Sequence, residues 1–263
     1  MLIKRRHPFH MVDYSPWPFL VSLGIVGVVG GVVIFMWEGK IFNFLLSLVI
    51  VGFISIQWWR DVSRERSLQG LHGEEIIYIL KWGMILFIIS EVLFFVSFFW
   101  SFFHFSLAPN IEVGNSWPPI RVIPFNFYEI PLLNTLILLV SGGTVTWSHM
   151  SFGVNKHSIN ISSLLMTIIL GGIFTLLQYY EYQESSYSIT DASFGSSFFL
   201  TTGFHGIHVI VGRIFLGFTW YRLLVGCFSK YHYFGFEAAS WYWHFVDVVW
   251  LFLFTVVYWW TVN

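Results

Sequence analysis

The sequence predicts an all-α integral membrane protein, a bundle of seven transmembrane helices. Three observations lead there. Of the 263 residues, 56% are hydrophobic and only 10% are charged, against roughly 25% charged in a soluble domain, and the mean hydropathy is +0.71. Seven stretches reach the length of about 20 apolar residues that a bilayer requires, at roughly 17–37, 41–59, 77–104, 129–150, 159–180, 195–221 and 240–260. Lys and Arg also fall on alternate sides of those seven stretches, as the charge rule for membrane topology demands.

Gly24, Gly27, Gly30 and Gly31 give the first span a small-residue face suited to close helix approach. The second span ends at Trp58-Trp59, an interfacial aromatic pair. The polar loop 60–75 (RDVSRERSLQGLHGEE) follows and separates two units. One is a two-helix unit, 1–76, with an inner-side N-terminus and a charged hinge; the other is a five-helix unit, 77–263. Trp117, Tyr179-Tyr180 and Trp259-Trp260 are further interface anchors. The N-terminal segment, with Lys4, Arg5 and Arg6, is too short for an Arg- and Ser-rich transit peptide, and no cleavage site follows the first apolar run.

With the N-terminus inside, ten of the thirteen Lys and Arg lie on inner segments (Lys4, Arg5, Arg6, Arg60, Arg64, Arg66, Lys81, Lys156, Arg222, Lys230) and two on outer ones (Lys40, Arg121). The outer loops are expected to carry Glu38, Glu112, Glu129, Glu181, Glu184 and Asp191. Arg213 falls within the sixth span and must pair, snorkel or line a polar cavity. The balanced net charge of −1 gives no nucleic-acid signal, and the single Cys227 excludes a disulfide framework or thiolate cluster.

Glu91 is the only charge between Trp82 and Phe103. A carboxylate at mid-bilayer costs about 3 kcal/mol on lenient insertion scales, so it is functional or held by a partner. His205 and His208 share a helical face at i and i+3, as do His244 and Asp247. With Glu91 they could build a carboxylate-and-histidine metal site, yet no Glu-x-x-His repeat supplies its second half. No histidine-box motif, nucleophile elbow, P-loop or dinucleotide fingerprint occurs either. The preferred reading of Glu91, His205, His208, His244 and Asp247 is an interhelical polar lattice, with no metal and no catalytic residue. His7, His10, His72, His104, His149, His157 and His232 fall near span ends. Trp59, Arg64, Glu65 and His72 form a second group, suited equally to a lipid headgroup or to a solvated loop with a local ion pair.

Several motifs then combine in order: His7-Pro-Phe-His-Met-Val12, Ser15-Pro-Trp-Pro18, Trp58-Trp-Arg-Asp61, Ser90-Glu-Val92, Ser106-Leu-Ala-Pro109, Trp117-Pro-Pro119 and Glu129-Ile-Pro-Leu-Leu-Asn-Thr135. Thr202-Gly-Phe-His-Gly-Ile-His-Val209 and Phe234-Gly-Phe-Glu-Ala238, running into Trp241-Tyr-Trp-His-Phe-Val-Asp247, complete the set. With these the chain resembles, over essentially its whole length, the subunit III family of cytochrome c oxidase.

The resemblance implies a non-redox core subunit of a terminal oxidase that reduces oxygen to water with cytochrome c and pumps protons. Helices one and two would splay from helices three to seven around a phospholipid-filled cleft. The five-helix unit would pack on catalytic subunit I, with subunit II and accessory subunits nearby. Haem and copper would reside in the partner subunits and none in this chain. The subunit would steady subunit I, sustain proton uptake and help oxygen reach it. By position, Glu91 matches the family's intramembrane acid. Trp59, Arg64, Glu65, His72, Arg222 and His232 match phospholipid contacts. The implied location is the mitochondrial inner membrane rather than a bacterial one, with the N-terminus in the matrix and the C-terminus facing the intermembrane space. Departures from the family pattern include His149-Met150, His232-Tyr233, Gly70-Leu-His-Gly73, Arg213, and Thr190-Asp191-Ala192, where Ala replaces the residue freest to take positive φ. The competing classes are a stand-alone transporter using Glu91 and Asp247 as a relay, and a di-metal membrane oxidase. A quinol oxidase subunit III is the rival within the superfamily, but it has five spans.

Overall fold

The computed structural model describes residues 10–111, 114–120, 122–154, 156–228 and 233–262. Among these the seven expected spans are seven helices long and apolar enough to cross a membrane. They are α1 (Trp17–Glu38), α2 (Phe42–Ser67), α3 (Glu74–Leu107), α4 (Ile130–Gly153), α5 (His157–Gln183), α6 (Ala192–Leu224) and α7 (Phe234–Leu253). α7 continues through a π-helical stretch, Phe254–Trp259, into a last turn, Trp260–Val262.

Most helices overrun the apolar stretches that announce them. The hydrocarbon core ends after roughly 30 Å, but an α-helix ends only where its backbone bonds find a substitute. The expected loop 60–75 is therefore corrected: α2 runs on to Ser67, and only residues 68–73 link it to α3. Arg64 and Arg66 stand in the last turn of α2, where positive charge opposes the helix dipole. The Leu68 N–H bonds the Arg64 carbonyl at 2.8 Å and the Leu71 N–H bonds that of Glu65 at 3.1 Å. α7 likewise starts at Phe234 rather than near 240, with Glu237 in its first turn.

The chain divides into two compact units, Met1–Leu80 and Lys81–Asn263, and α3 begins in the first and continues through the second. In the first unit α1 starts behind Pro16, carries a proline in its first two positions, and stops at Gly39, whose φ of 70° caps the helix through an N–H bond to the Phe35 carbonyl. The short turn forces α2 back antiparallel. As α1 advances from Gly24 through Gly27 to Gly31, its closest neighbours on α2 retreat from Val51 through Ser47 to Phe44. A β-carbon at Gly31 would stand 2.7 Å from the Phe44 Cα, so only glycine permits this backbone approach. Gly30, the fourth member of the expected face, meets nothing within 4 Å.

In the second unit the core lies where α4, α5, α6 and α7 meet. Trp243 and Trp250 on α7 are fully buried. The Trp250 ring stands at 90° to that of Phe174 on α5, with centroids 4.8 Å apart. Each indole N–H donates to a hydroxyl of α4: Trp243 to Ser141 and Trp250 to Thr135, both at 2.9 Å. Aromatic side chains join α3 to its neighbours: Phe94 packs edge-on against Phe204 of α6, and Phe102 against Trp117.

Candidate functional site

α4 carries its fully buried polar side chains at a regular spacing. Asn134, Ser141 and Ser148, each 0% exposed, recur every seven residues along it. Small hydroxyl residues let helices approach closely and bond across the contact. Thr144 and Thr167 of α5 bond at 2.8 Å, and the Ser148 hydroxyl donates to the Asn160 side-chain oxygen at 2.5 Å.

The residues expected to form one lattice lie in three separate places. Glu91 on α3 meets His208 on α6, Oε2 to Nε2 at 2.8 Å. The other nitrogen of His208, Nδ1, lies 2.6 Å from the Phe204 carbonyl, which can only accept, so Nδ1 bears a hydrogen. The remaining bond therefore shares a single proton between imidazole and carboxyl. Whichever atom holds it, the pair has zero net charge, the arrangement with the smallest desolvation cost. Phe95 and Tyr242 flank the His208 ring.

His205, 1% exposed, lies between the Phe174 and Trp250 rings, and its Nε2–H donates to the Val246 carbonyl at 3.2 Å. Despite their shared face, His205 and His208 thus serve different partners. In the third place the Thr146 hydroxyl donates to the Gly142 carbonyl at 2.8 Å and accepts from His244 Nε2–H at 3.3 Å. His244 Nδ1 then faces Asp247 Oδ2 at 4.0 Å. Asp247 is 7% exposed and its Oδ1 has no protein partner. Gly142 makes room for it, since a β-carbon there would stand 2.7 Å from Oδ2.

Of the expected lipid contacts, Trp59 and Arg64 lie exposed on α2, while Glu65 and His72 are half-buried. Arg222 is half-buried near the end of α6, its guanidinium 5.0 Å from the centre of the Phe228 ring. His232 lies outside the described residues. Lys81, at the head of the second unit, pairs with Glu237 at 2.9 Å. Arg213 is half-buried, with Nη1 3.0 Å from where a β-carbon on Gly172 of α5 would sit.

Two groups escaped the sequence reading. Glu181, expected on an outer loop, is in the last turn of α5 and only 1% exposed. Close by, the Tyr182 hydroxyl donates to Thr202 at 2.7 Å and the Gln178 amide to the Tyr258 hydroxyl at 3.5 Å. The helical phase of α5 continues unbroken from Phe174 through Gln178 to Glu181 and offered the signal. The other group is His10, which the fold brings to Glu65 and His72; no sequence spacing announces that meeting.

Beside this geometry stand the likenesses to known proteins. The sequence profile described as cytochrome c oxidase subunit III matches residues 7–262. The chain is 57% identical to cytochrome c oxidase subunit 3 of Drosophila melanogaster over 260 residues, 99% of each chain. It is 55% identical to that of Aedes aegypti, again over 99% of each. The likeness to the subunit of Heterololigo bleekeri is 51% over 255 residues, 97% of this chain and 98% of the other. The chain belongs to the cytochrome c oxidase subunit III family.

Proposed function

We propose that this subunit of the oxidase acts through its surfaces, as a scaffold and lipid holder for the catalytic core. Its place in the complex follows from the family. The observation that carries it is where polarity and apolarity lie. Glu91, His205, His208 and His244 all bond within the second unit, and broad apolar faces are left outside. One of these is a groove of about 730 Å³ lined by Ile88, Val92, Phe95 and Phe99 of α3 and by Phe245 and Val248 of α7. It fits an acyl chain or an apolar partner helix, and makes α3 and α7 the candidate face toward subunit I. Only 6% of the most apolar window of α1 or α2 is buried, against 50% in α7.

In this reading Trp59, Arg64, Glu65 and His72 on the first unit, and Arg222 and His232 on the second, hold phospholipid headgroups. Arginine suits phosphate through its planar donor fork, and Trp suits the interface. The bound lipid and the Glu91–His208 pair steady subunit I, support its proton uptake and offer oxygen an apolar route. Haem and copper belong to the partner subunits I and II. The Lys and Arg distribution favours an N-terminus in the matrix of the mitochondrial inner membrane, with the C-terminus on the intermembrane side.

The first test is a native gel of gently extracted membranes, stained for haem, with peptides identified in the stained band. Co-migration with a haem-bearing oxidase, and a colourless chain once separated, is the expected result. Migration apart from haem would overturn the scaffold reading. Arg64→Ala should lower phospholipid per complex by mass spectrometry, and an unchanged lipid count would remove Arg64 from the lipid site.

A further inference from the structure

We infer that His10, Glu65 and His72 form a binding site for a divalent transition ion of the zinc type within the first unit. The three side chains come from distant places: the segment before α1, the last turns of α2, and the 68–73 link. Each offers one ligand atom, and these atoms all lie within 4.8 Å of one another. His10 Nε2 stands 3.7 Å from Glu65 Oε2. The two imidazoles meet edge-on, centroids 5.3 Å apart and planes at 73°. Two neutral imidazoles and one carboxylate are the donor set that suits zinc with a fourth position open for water.

His10 supplies an independent sign of a missing ligand. Its side chain is only 10% exposed, and Nε2 is buried with no hydrogen-bond partner, aimed at the Glu65 carboxylate. An ordinary imidazole–carboxylate bond would draw these atoms to about 2.8 Å. Instead they stand apart, near the roughly 3.3 Å that zinc bonds of about 2.05 Å impose on tetrahedral ligand atoms. Contraction around an ion needs little: His10 and His72 lie on non-helical backbone, and only Glu65 is fixed on a helix. A bound ion would tie the chain's entry into α1 to the exit of α2, next to the bond that Trp17 Nε1–H donates to Asp61 at 2.8 Å.

Glu65 and His72 also appear in the proposed lipid site, so the two readings need separate tests. The intact complex is dialysed to equilibrium against buffered free Zn²⁺, for the parent and for His10→Asn, His72→Asn and Glu65→Gln, with zinc and phospholipid both counted per complex. The expected result is one high-affinity zinc in the parent that weakens by about 100-fold or more in each variant. Equal zinc affinity in parent and variants overturns the site. In the parent alone, X-ray absorption of the added, chelator-removable zinc should show two imidazoles, oxygen and no sulfur; a sulfur shell or no imidazole scattering also overturns it, whether or not a variant assembles. A fall in phospholipid with unchanged zinc in His72→Asn would refute the ion and leave the lipid reading standing. Lost zinc in His72→Asn beside an unchanged lipid count would do the reverse.

Discussion

Replacing Glu91 by alanine removes the one side chain that meets His208 Nε2 across α3 and α6. The magnitude follows from the geometry. Interhelical hydrogen bonds in membranes average about 0.6 kcal/mol and reach about 1.7. This one is 2.8 Å long, proton-sharing and flanked by aromatic rings, so it belongs near the top of that range. A loss of about 1.4 kcal/mol is a factor of ten in a local opening equilibrium. Amide hydrogen exchange, followed by mass spectrometry on peptides of α3 and α6 in the intact complex, reads that equilibrium. Glu91→Ala and His208→Ala should each speed exchange there by about tenfold, and the double variant should go no further than either. Glu91→Gln should change exchange by less than about threefold, because its amide can still donate to the neutral ring. It should leave the haem-bearing complex assembled with activity reduced modestly at most. Additive effects in the double variant would show that the two side chains are not coupled and would refute the reasoning. Loss of the haem-bearing core from Glu91→Gln would mean the residue builds the complex rather than tunes it.

Three further outcomes are expected. Gly171→Ala would put a β-carbon 2.6 Å from Cη2 of the fully buried Trp243 and strain its bond to Ser141; it should cost about 1–3 kcal/mol and lower the temperature of thermal inactivation. Gly143→Ala, with open space at its β-carbon, should not, and equal effects would contradict the packing argument. Ala192 holds φ of 54° at the head of α6, a left-handed conformation costing a non-glycine residue of order 1 kcal/mol. Ala192→Gly should therefore be neutral or stabilising by up to about 1 kcal/mol in a thermal melt, and a clear loss would mean the turn's strain lies elsewhere. Tyr187, in the α5–α6 connection, has its phenol pushed up by burial, then by the charges of Glu181 and Tyr182. The folded state thus keeps a proton that the unfolded phenol releases near pH 10, so stability is full below about pH 10 and falls as pH rises beyond it. Tyr187→Phe should flatten part of that alkaline loss; an identical alkaline melting profile would exclude Tyr187 as its source.

The turn at Ala192 adopts positive φ with alanine in place. Asp191 holds it, accepting from the Ser188 N–H and hydroxyl at 2.6 and 3.0 Å. The order of seven spans was legible because apolarity is a local property summed over about 20 residues. Their ends were less legible. α2 passes through Arg60 to Ser67 without a break, since polar residues with good helix propensity continue a helix into water.

Within the site, the residues that need partners can be read from the chain alone: Glu91, His205, His208, His244 and Asp247 stand out because polarity in an apolar span is expensive. The family too is legible in the sequence, through motifs spread along the chain. Who those partners are follows from how the helices pack. His208 turned to Glu91, His205 to a backbone carbonyl, and His244 to Thr146, although each pair in sequence shares a helical face. A helical period tells which side of a helix a residue occupies, not which neighbouring helix covers that side. The meeting of His10 with Glu65 and His72, and the burial of Glu181, depend on how far helices extend past the apolar core and how the chain turns back, and those are decided by packing across the whole unit.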